Sequence, residues 1–227
     1  VQTCALPIYG TRVVKPRLFG LTGTNGKTTA VYMLTAILNQ LGRMTGMSST
    51  SERVIAGQHF DSKLTTPEAN EMHAFVARML ESGVTDAVLE VSAHALTRHR
   101  VDGFHFDVVG FTNFSQDHLD DYGSMDDYFD AKLQLFTSAR ARAGVVVLGS
   151  PWSDRVVRES EIPVQTVGMS GTDSADWTVT VTARAPGATS FRLSDQRGNT
   201  LETSVPLVGD FSAVNAALAI VMCVTAG

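Results

Sequence analysis

One short segment carries the residue types that bind the phosphate groups of a nucleotide. Residues 20–29 read Gly-Leu-Thr-Gly-Thr-Asn-Gly-Lys-Thr-Thr. Gly23 and Gly26 leave room for backbone N–H groups to point at phosphate oxygens. Lys27 can reach the β- and γ-phosphates, and the Thr28 hydroxyl can coordinate Mg²⁺. The segment therefore predicts a phosphate-binding loop.

The elements around this loop are those that such a loop requires. Residues 13–21 read as a short strand, and apolar residues at helical spacing predict a helix over 29–41. A helix that begins directly after the loop adds its partial positive charge. Leu21 stands where the standard G-x-x-x-x-G-K-T pattern has glycine, so the early glycine lies at 20 or 23. The alternative is a glycine-rich turn that only caps a helix, and Gly-Lys-Thr-Thr at the helix start argues against it.

Further polar side chains follow the predicted strands. Glu90 closes one apolar run, Asn113 follows a second, and His118 and Lys132 come next along the chain. Ligands of open α/β sheets bind at the carboxyl ends of the strands. A carboxylate there is costly unless it holds a cation or pairs with a base. Taken singly, each could be a cap, a surface turn or a solvated lysine. Their joint occurrence downstream of one phosphate loop predicts a shared site.

Strands and helices alternate over much of the chain. Short apolar, β-branched runs predict strands buried on both faces at residues 86–91, 107–112 and 143–148. A helix is predicted from Thr66 as N-cap and Pro67 as first residue to about residue 82, and another over 125–139. This alternation predicts an α/β fold, a doubly wound and mostly parallel sheet that contains the phosphate loop.

The pattern changes after residue 151. Residues 163–208 alternate short β-like runs with turn residues, which predicts a smaller antiparallel β addition to the same domain near the C-terminus. Residues 48–63 resemble a loop or a small hairpin, and residues 213–224 form an apolar helical segment.

The composition is that of an ordinary globular protein. The 227 residues are 44% hydrophobic and 18% charged, with a net charge of −5. Mild acidity without a basic cluster argues against nucleic acid as a partner, and no apolar run approaches the length of a membrane span. The two cysteines, Cys4 and Cys223, are far apart and lack metal-ligand spacing, which favours a reducing compartment.

Several motifs, in order, resemble the central ATPase domain of the Mur ligase family, the ATP-dependent amino-acid ligases of peptidoglycan precursor synthesis. The resemblance covers nearly everything from residue 13 onward. It rests on Gly23-Thr-Asn-Gly-Lys-Thr-Thr29, Leu64-Thr-Thr-Pro67, Leu89-Glu-Val-Ser-Ala-His-Ala-Leu96, Phe111-Thr-Asn-Phe-Ser-Gln-Asp-His-Leu-Asp120, Asp127-Tyr-Phe-Asp-Ala-Lys132 and Gly209-Asp-Phe-Ser-Ala-Val-Asn-Ala-Ala-Leu218.

The resemblance implies a phosphoryl-transfer centre. In the family a substrate carboxylate attacks the γ-phosphate of ATP, and an amine then displaces phosphate from the acyl phosphate to form an amide. The chain looks most like the ligases that add the third residue, meso-diaminopimelate or L-lysine, to UDP-MurNAc-L-Ala-D-Glu. The implied cofactors are ATP and two Mg²⁺ ions. Lys132 would be carbamylated, since CO₂ reacts with a neutral amine, which burial favours.

The resemblance implies a role for each position that matches the family's motifs. The expected catalytic residues are Lys27, Glu90, His118 and Lys132. Metal would be held by Thr28, Glu90, His118 and the Lys132 carbamate. The nucleotide would be bound by Gly23, Thr24, Asn25, Gly26, Lys27, Thr28, Thr29, Asn113 and Asn215. The UDP-MurNAc-dipeptide would be bound by Thr65, Thr66, Ser92, Arg98 and Arg100. The remaining histidines in this part of the chain are interpreted as structural or peripheral: His94, His99 and His105.

Both ends of the sequence suggest a piece of a longer protein. Residues 1–12 are expected to be an artefact or a linker remnant, because residues 1–8 match the translation of a common sequencing adapter. Residues 13–227 would be a central domain, truncated at its C-terminus and lacking the UDP-binding and amino-acid-binding domains of the relatives. The intact enzyme is expected to be a monomer in the bacterial cytoplasm, and the piece inactive alone.

Two alternatives remain open at this point. The chain could be another Mur-like amide ligase, such as a cyanophycin synthetase or folylpolyglutamate synthetase relative, although residues 90–94 and 127–132 argue against the folate type. It could also be a nucleotide-binding module without catalysis. Four intact residues oppose that hypothesis, because a binding module does not need both metal positions: Lys27, Glu90, His118 and Lys132.

Overall fold

One mixed sheet forms the centre of the computed structural model, which describes residues 9–10, 15–117, 121–172 and 175–227. Within these residues the sheet has eleven strands, in the order β11-β10-β9-β8-β7-β6-β1-β5-β2-β3-β4. The strands are β1 (Arg17–Thr22), β2 (Thr45–Ser48), β3 (Glu52–Ile55), β4 (Gln58–Asp61), β5 (Asp86–Glu90), β6 (Phe106–Phe111), β7 (Ala141–Val147), β8 (Val164–Met169), β9 (Trp177–Ala185), β10 (Ala188–Asp195) and β11 (Thr200–Val205).

Helices cover both faces of this sheet. They are α1 (Lys27–Gln40), α2 (Ala69–Glu81), α3 (Ala93–Thr97), α4 (Met125–Leu133), α5 (Pro151–Glu159) and α6 (Asp210–Ala226). Two apolar cores result because neighbouring strand residues point to opposite faces. Leu18 of β1 packs in the core under α2 to α5, and the adjacent Phe19 packs in the core under α1 and α6.

The predicted fold class is confirmed. Seven adjacent strands, from β2 through β9 in sheet order, pair in parallel. Antiparallel strands are added at both ends, with β3 and β4 at one end and β10 and β11 at the other. The region predicted to be an antiparallel addition is therefore mixed, because β8 and β9 first extend the parallel part.

Several predicted element boundaries need correction. The helix predicted to begin at Thr66 and Pro67 begins at Ala69, with Glu68 as its N-cap. The Thr66 hydroxyl instead donates a hydrogen bond to the Glu90 carbonyl oxygen (2.8 Å), so it joins the segment before α2 to the end of β5 and caps no helix. The helix predicted over 125–139 ends at Leu133 and continues only as a short 3₁₀ turn.

Two helices were not predicted, the five-residue α3 and the longer α5. Helix α5 begins with a capping box, in which Ser150 and Ser153 exchange side-chain and backbone hydrogen bonds, and Pro151 occupies its first turn. Its apolar side packs Val156 into the core, and Arg155 binds Asp126 and Asp130 of α4. Among the described residues, no helix is long and apolar enough to cross a membrane.

Candidate active site

Four strand ends meet at one edge of the sheet. β1 lies between β5 and β6, and β2 lies on the far side of β5. Because these strands are parallel, the loops at their carboxyl ends form one surface. The loop after β1 is the predicted phosphate loop, and Glu90 is the last residue of β5. The fold thus brings together the segments that the sequence predicted to act together.

The phosphate loop takes a backbone shape that only glycine accommodates at two positions. Gly23 has φ +139° and Gly26 has φ +83°, both in the region that side chains disfavour. A Cβ on Gly23 would lie 2.9 Å from the Asn113 carbonyl oxygen, and one on Gly26 would lie 2.9 Å from the Asn215 amide. The loop is closely packed from behind and leads directly into α1, as a phosphate-binding loop requires.

Asn113 fixes the shape of this loop. Its side-chain oxygen accepts a hydrogen bond from the Asn25 N–H (2.9 Å), and its amide nitrogen donates to the Asn25 carbonyl oxygen (2.9 Å). The Asn113 carbonyl accepts from the Thr24 N–H. Thr112 adds a bond to the Asn25 carbonyl oxygen. Asn113 therefore braces the loop that would contact phosphate.

We expect Asn113→Ala to weaken nucleotide binding about tenfold. The substitution removes two hydrogen bonds to Asn25, each contributing on the order of 1 kcal/mol, and frees the loop to leave its phosphate-binding shape. Calorimetric titration with Mg·ADP measures the effect. Asn70→Ala, on the exposed side of α2, is the matched control. Equal affinity in the two variants would contradict the bracing role.

Two lysines converge on the phosphate loop. Lys27 Nζ donates to the Gly23 carbonyl oxygen (3.0 Å) and the Thr24 carbonyl oxygen (2.8 Å). Lys132 Nζ reaches the same Gly23 oxygen from α4 (2.9 Å) and lies 4.4 Å from the centre of the Tyr128 ring. Two lysine side chains from different elements thus meet at one carbonyl oxygen of the loop.

Burial changes the acid–base behaviour of both lysines. Loss of hydration lowers the pKa of Lys27, opposed by the nearby carboxylates of Glu90 and Asp117. For Lys132, burial and then the neighbouring charge of Lys27 lower the pKa from 10.5 to about 7. A substantial fraction of Lys132 is therefore a neutral amine near pH 7, which is the form that can react with CO₂.

Glu90 is a buried carboxylate, only 2% exposed, at the centre of the site. Its Oε2 accepts from the Thr28 hydroxyl (2.9 Å) and from the Thr50 N–H (3.1 Å). Its Oε1 lies 3.9 Å from Lys27 Nζ. A buried carboxylate oriented by hydroxyl and backbone donors, with a lysine on its other side, is suited to hold a cation.

A cleft of about 330 Å³ adjoins Glu90 and both lysines. Four of the five residues predicted to bind the dipeptide line it: Thr65, Ser92, Arg98 and Arg100. The fifth, Thr66, is fully buried and tied to the Glu90 carbonyl oxygen, so it shapes the cleft from behind. The positive charges of Lys27, Arg98 and Arg100 favour an anionic ligand here.

Arg100 contains an unsatisfied buried donor. The residue is 8% exposed, and its guanidinium contacts the Thr66 carbonyl oxygen and the Glu68 carboxylate. Its Nε has no hydrogen-bond partner among the residues that the structure describes. Such a donor is costly unless a ligand or water satisfies it. A bound anion would be a suitable partner.

Other predicted residues lie at different places. Asn215 is buried against Gly26, behind the phosphate loop. Thr29 lies in the first turn of α1. His118 lies outside the described residues, so its expected metal-ligand role stays a prediction. A larger cavity, of about 600 Å³, lies after β7 beside α5, and none of the predicted site residues lines it.

The sequence interpretation missed some residues of the site. Thr50 contacts both Glu90 and Thr65, but it sits in a Ser-Ser-Thr-Ser run without a motif of its own. His94, interpreted as structural or peripheral, lines the cleft and bonds to Asp121 (3.0 Å). Tyr128, one turn before Lys132, could have been found from the helical spacing alone.

The residues present fit Mg²⁺ and a nucleotide phosphate. Within the described ranges, no three His, Cys, Asp or Glu side chains gather as a metal-binding group. Mg²⁺ commonly takes one or two carboxylates and completes its shell with waters and substrate phosphates. Glu90 and the Thr28 hydroxyl, 2.9 Å apart beside the phosphate loop, provide such a partial set.

Comparison with known proteins identifies the family. The family model of the Mur ligase middle domain matches residues 21–223. The chain belongs to the Mur ligase family. The family resemblance predicted from the motifs is therefore confirmed, and the match covers the phosphate loop, Glu90 and Lys132.

Individual relatives point to one branch of this family. The chain is 58% identical over 210 residues to a UDP-N-acetylmuramyl-tripeptide synthetase of Leifsonia xyli, covering 92% of this chain and 41% of the relative. It is 42% identical to a UDP-N-acetylmuramoyl-L-alanyl-D-glutamate–2,6-diaminopimelate ligase of Corynebacterium glutamicum, covering 93% of this chain and 41% of that protein. The chain thus spans about two-fifths of the length of the curated relatives it matches.

A solved structure supports the same placement. The fold superposes on a UDP-N-acetylmuramoyl-L-alanyl-D-glutamate–2,6-diaminopimelate ligase with a TM-score of 0.83 and 25% sequence identity. The match covers 94% of this chain and 44% of the solved one. The arrangement of strands and helices around the site is therefore that of a Mur ligase middle domain.

Proposed function

We propose that this chain is the central, ATP-binding domain of a ligase that adds the third amino acid to UDP-MurNAc-L-Ala-D-Glu. The observation that carries the proposal is the convergence of Lys27, Glu90 and Lys132 between a phosphate loop and a cationic cleft. In this proposal a triphosphate would occupy the loop and an anionic acceptor the adjoining cleft. The names of the relatives supply the identity of the acceptor.

In this proposal some residues of the chain bind the nucleotide phosphates, and others bind and orient the acceptor. The backbone N–H groups of residues 26–28, at the start of α1, and the Lys27 ammonium bind the β- and γ-phosphates. Arg98 and Arg100 bind the anionic acceptor and hold its carboxylate towards the γ-phosphate. Attack by that carboxylate gives an acyl phosphate and ADP, and the incoming amine then displaces phosphate to form the amide. Productive placement of the two reactants accounts for much of the rate in such transfers.

Glu90 and Thr28 would hold a Mg²⁺ ion, with His118 and the carbamate of Lys132 proposed for a second. Mg²⁺ neutralises charge on the transferring phosphoryl group. Addition of CO₂ to the neutral Lys132 amine, with release of one proton, would give an anionic carbamate, a better neighbour for a cation than an ammonium group. The pKa of about 7 that burial gives Lys132 supports this modification.

The proposal is tested by the dependence of ADP release on both substrates. The intact protein that contains this domain should release ADP over many turnovers only with UDP-MurNAc-L-Ala-D-Glu and an amino acid together, forming a tripeptide product seen by mass spectrometry. Parallel reactions with meso-diaminopimelate and with L-lysine decide which residue is added. Ligation to a different acceptor, such as a polyaspartate, would replace this proposal by another Mur-like activity, and sustained ADP release without any acceptor would contradict a ligase. Nucleotide binding without turnover under every condition would favour a non-catalytic module.

A further inference from the structure

Thr50 joins the two halves of the site. Its N–H donates to Glu90 Oε2 (3.1 Å), and its hydroxyl oxygen lies 3.3 Å from the same carboxylate oxygen. The same hydroxyl lies 3.0 Å from the Thr65 hydroxyl. Glu90 belongs to the cation and phosphate side of the site, and Thr65 lines the cleft proposed for the acceptor. Thr50 is the direct hydrogen-bonded link between them.

A hydroxyl has a single hydrogen, so Thr50 cannot donate to both neighbours at once. In one arrangement it donates to Glu90 and accepts from Thr65, whose hydrogen is then used within the protein. In the other it donates to Thr65, whose own hydrogen becomes available to a ligand in the cleft. In both arrangements Glu90 keeps its bonds from Thr28 and from the Thr50 N–H.

The charge at Glu90 selects between these arrangements. A carboxylate without a cation attracts the Thr50 hydrogen, because hydrogen bonds to charged acceptors are the stronger ones. A cation bound at Glu90 draws on the same oxygens and weakens that attraction. The Thr50 hydrogen can then turn to Thr65, and Thr65 can donate to an anionic group of the acceptor.

We propose that Thr50 couples the binding of metal–nucleotide to the binding of the acceptor, so that each ligand increases the affinity for the other. This inference rests on the proposed function and adds a regulatory link within that same site. By thermodynamic linkage the enhancement is equal in both directions. It would favour occupation of the acceptor cleft when the phosphate donor is already in place.

The test measures a coupling factor in the intact protein. The dissociation constant of the Mg²⁺ complex of a non-hydrolysable ATP analogue is determined with and without saturating UDP-MurNAc-L-Ala-D-Glu. The coupling factor is the dissociation constant without the acceptor divided by the one with it. We expect this factor to be about 5 or more in the unmodified protein. Thr50→Val should bring it to within about twofold of 1, because valine keeps the backbone bond to Glu90 but has no hydroxyl. Thr50→Ser, which keeps the hydroxyl, should retain the coupling.

The controls separate this inference from a structural effect and from the proposed function. Thr137→Val, whose hydroxyl bonds only the local Gln134 carbonyl oxygen among the described contacts, should leave the coupling unchanged. A Thr50→Val protein with undiminished coupling would overturn the inference, as would independent binding of the two ligands to the unmodified protein; the proposed function would stand in both cases. A protein that binds neither ligand would contradict the proposed function itself.

Discussion

Lys27→Met should lower the ligation rate by on the order of 10²–10³, the usual effect of removing one charge-stabilising donor from a reacting group. The Lys27 ammonium bonds the Gly23 and Thr24 carbonyl oxygens and lies 3.9 Å from Glu90 Oε1. A phosphate in the loop would take the place of those carbonyl oxygens as its partner. Methionine has a similar length and no charge, so it removes the interaction while filling much of the space.

The loss of nucleotide affinity in Lys27→Met should depend on the number of phosphates in the nucleotide. Affinity for AMP should change little, and affinities for ADP and ATP should fall, because Lys27 is proposed to reach only the β- and γ-phosphates. Calorimetric titration of the three nucleotides measures this series. Lys63→Met, at an exposed position, is the control for the loss of a positive charge. A uniform loss across all three nucleotides would contradict the assigned contact.

Lys132→Met should abolish most of the activity and yet stabilise the ligand-free protein at low pH. Burial lowers the pKa of Lys132 from 10.5 to about 7, so the folded state disfavours the charged amine. One pKa unit corresponds to about 1.4 kcal/mol, which gives an upper bound of roughly 5 kcal/mol on the gain in unfolding free energy. The lost bond to the Gly23 carbonyl oxygen subtracts about 1–3 kcal/mol.

The pH dependence has a definite sign. Below about pH 7 Lys132 is charged in both the folded and the unfolded states, and the full cost of burying the charge is present. Between pH 7 and 10.5 the unfolded state binds more protons, so the stability of the unmodified protein rises with pH. The advantage of Lys132→Met should therefore be largest near pH 6 and shrink towards pH 10.

Urea unfolding in bicarbonate-free buffer at these two pH values measures the difference, with Lys63→Met as the exposed control. An advantage independent of pH would show that packing, and not charge, governs the position. A variant with normal ligation activity would contradict the proposed role of a Lys132 carbamate.

The sequence was sufficient to predict the central parallel strands and the glycine-rich loop between β1 and α1, because both follow from local patterns. Apolar β-branched runs predicted the central strands, and Gly-Lys-Thr-Thr at a helix start predicted the loop. Helix α5 was missed since its signal is a serine cap followed by Pro151, with few apolar residues to set a helical period. The start of α2 was misplaced because threonine is a common N-cap residue, whereas the Thr66 hydroxyl bonds the Glu90 carbonyl oxygen.

The residues of the candidate site were easier to select from the sequence than the contacts between them. Motifs were enough to select Lys27, Glu90 and Lys132. Their contacts with one another and with Gly23 depend on three segments that lie more than 40 residues apart in the sequence. Thr50 lacks a motif because its role comes from the register of β2 beside β5, which places it against Glu90. Such pairings arise from tertiary structure, and one sequence alone does not encode them in a local pattern.

The proposed acyl-phosphate route is tested most directly by tracing an oxygen atom from the acceptor to phosphate. UDP-MurNAc-L-Ala-D-Glu labelled with ¹⁸O in the side-chain carboxylate of its glutamate is supplied to the intact protein with ATP and the amino acid. If that carboxylate attacks the γ-phosphate, one ¹⁸O per turnover is transferred to inorganic phosphate, and mass spectrometry detects it. Phosphate without the label, formed at the same rate as the amide, would contradict transfer through an acyl phosphate and with it the central proposal for this site.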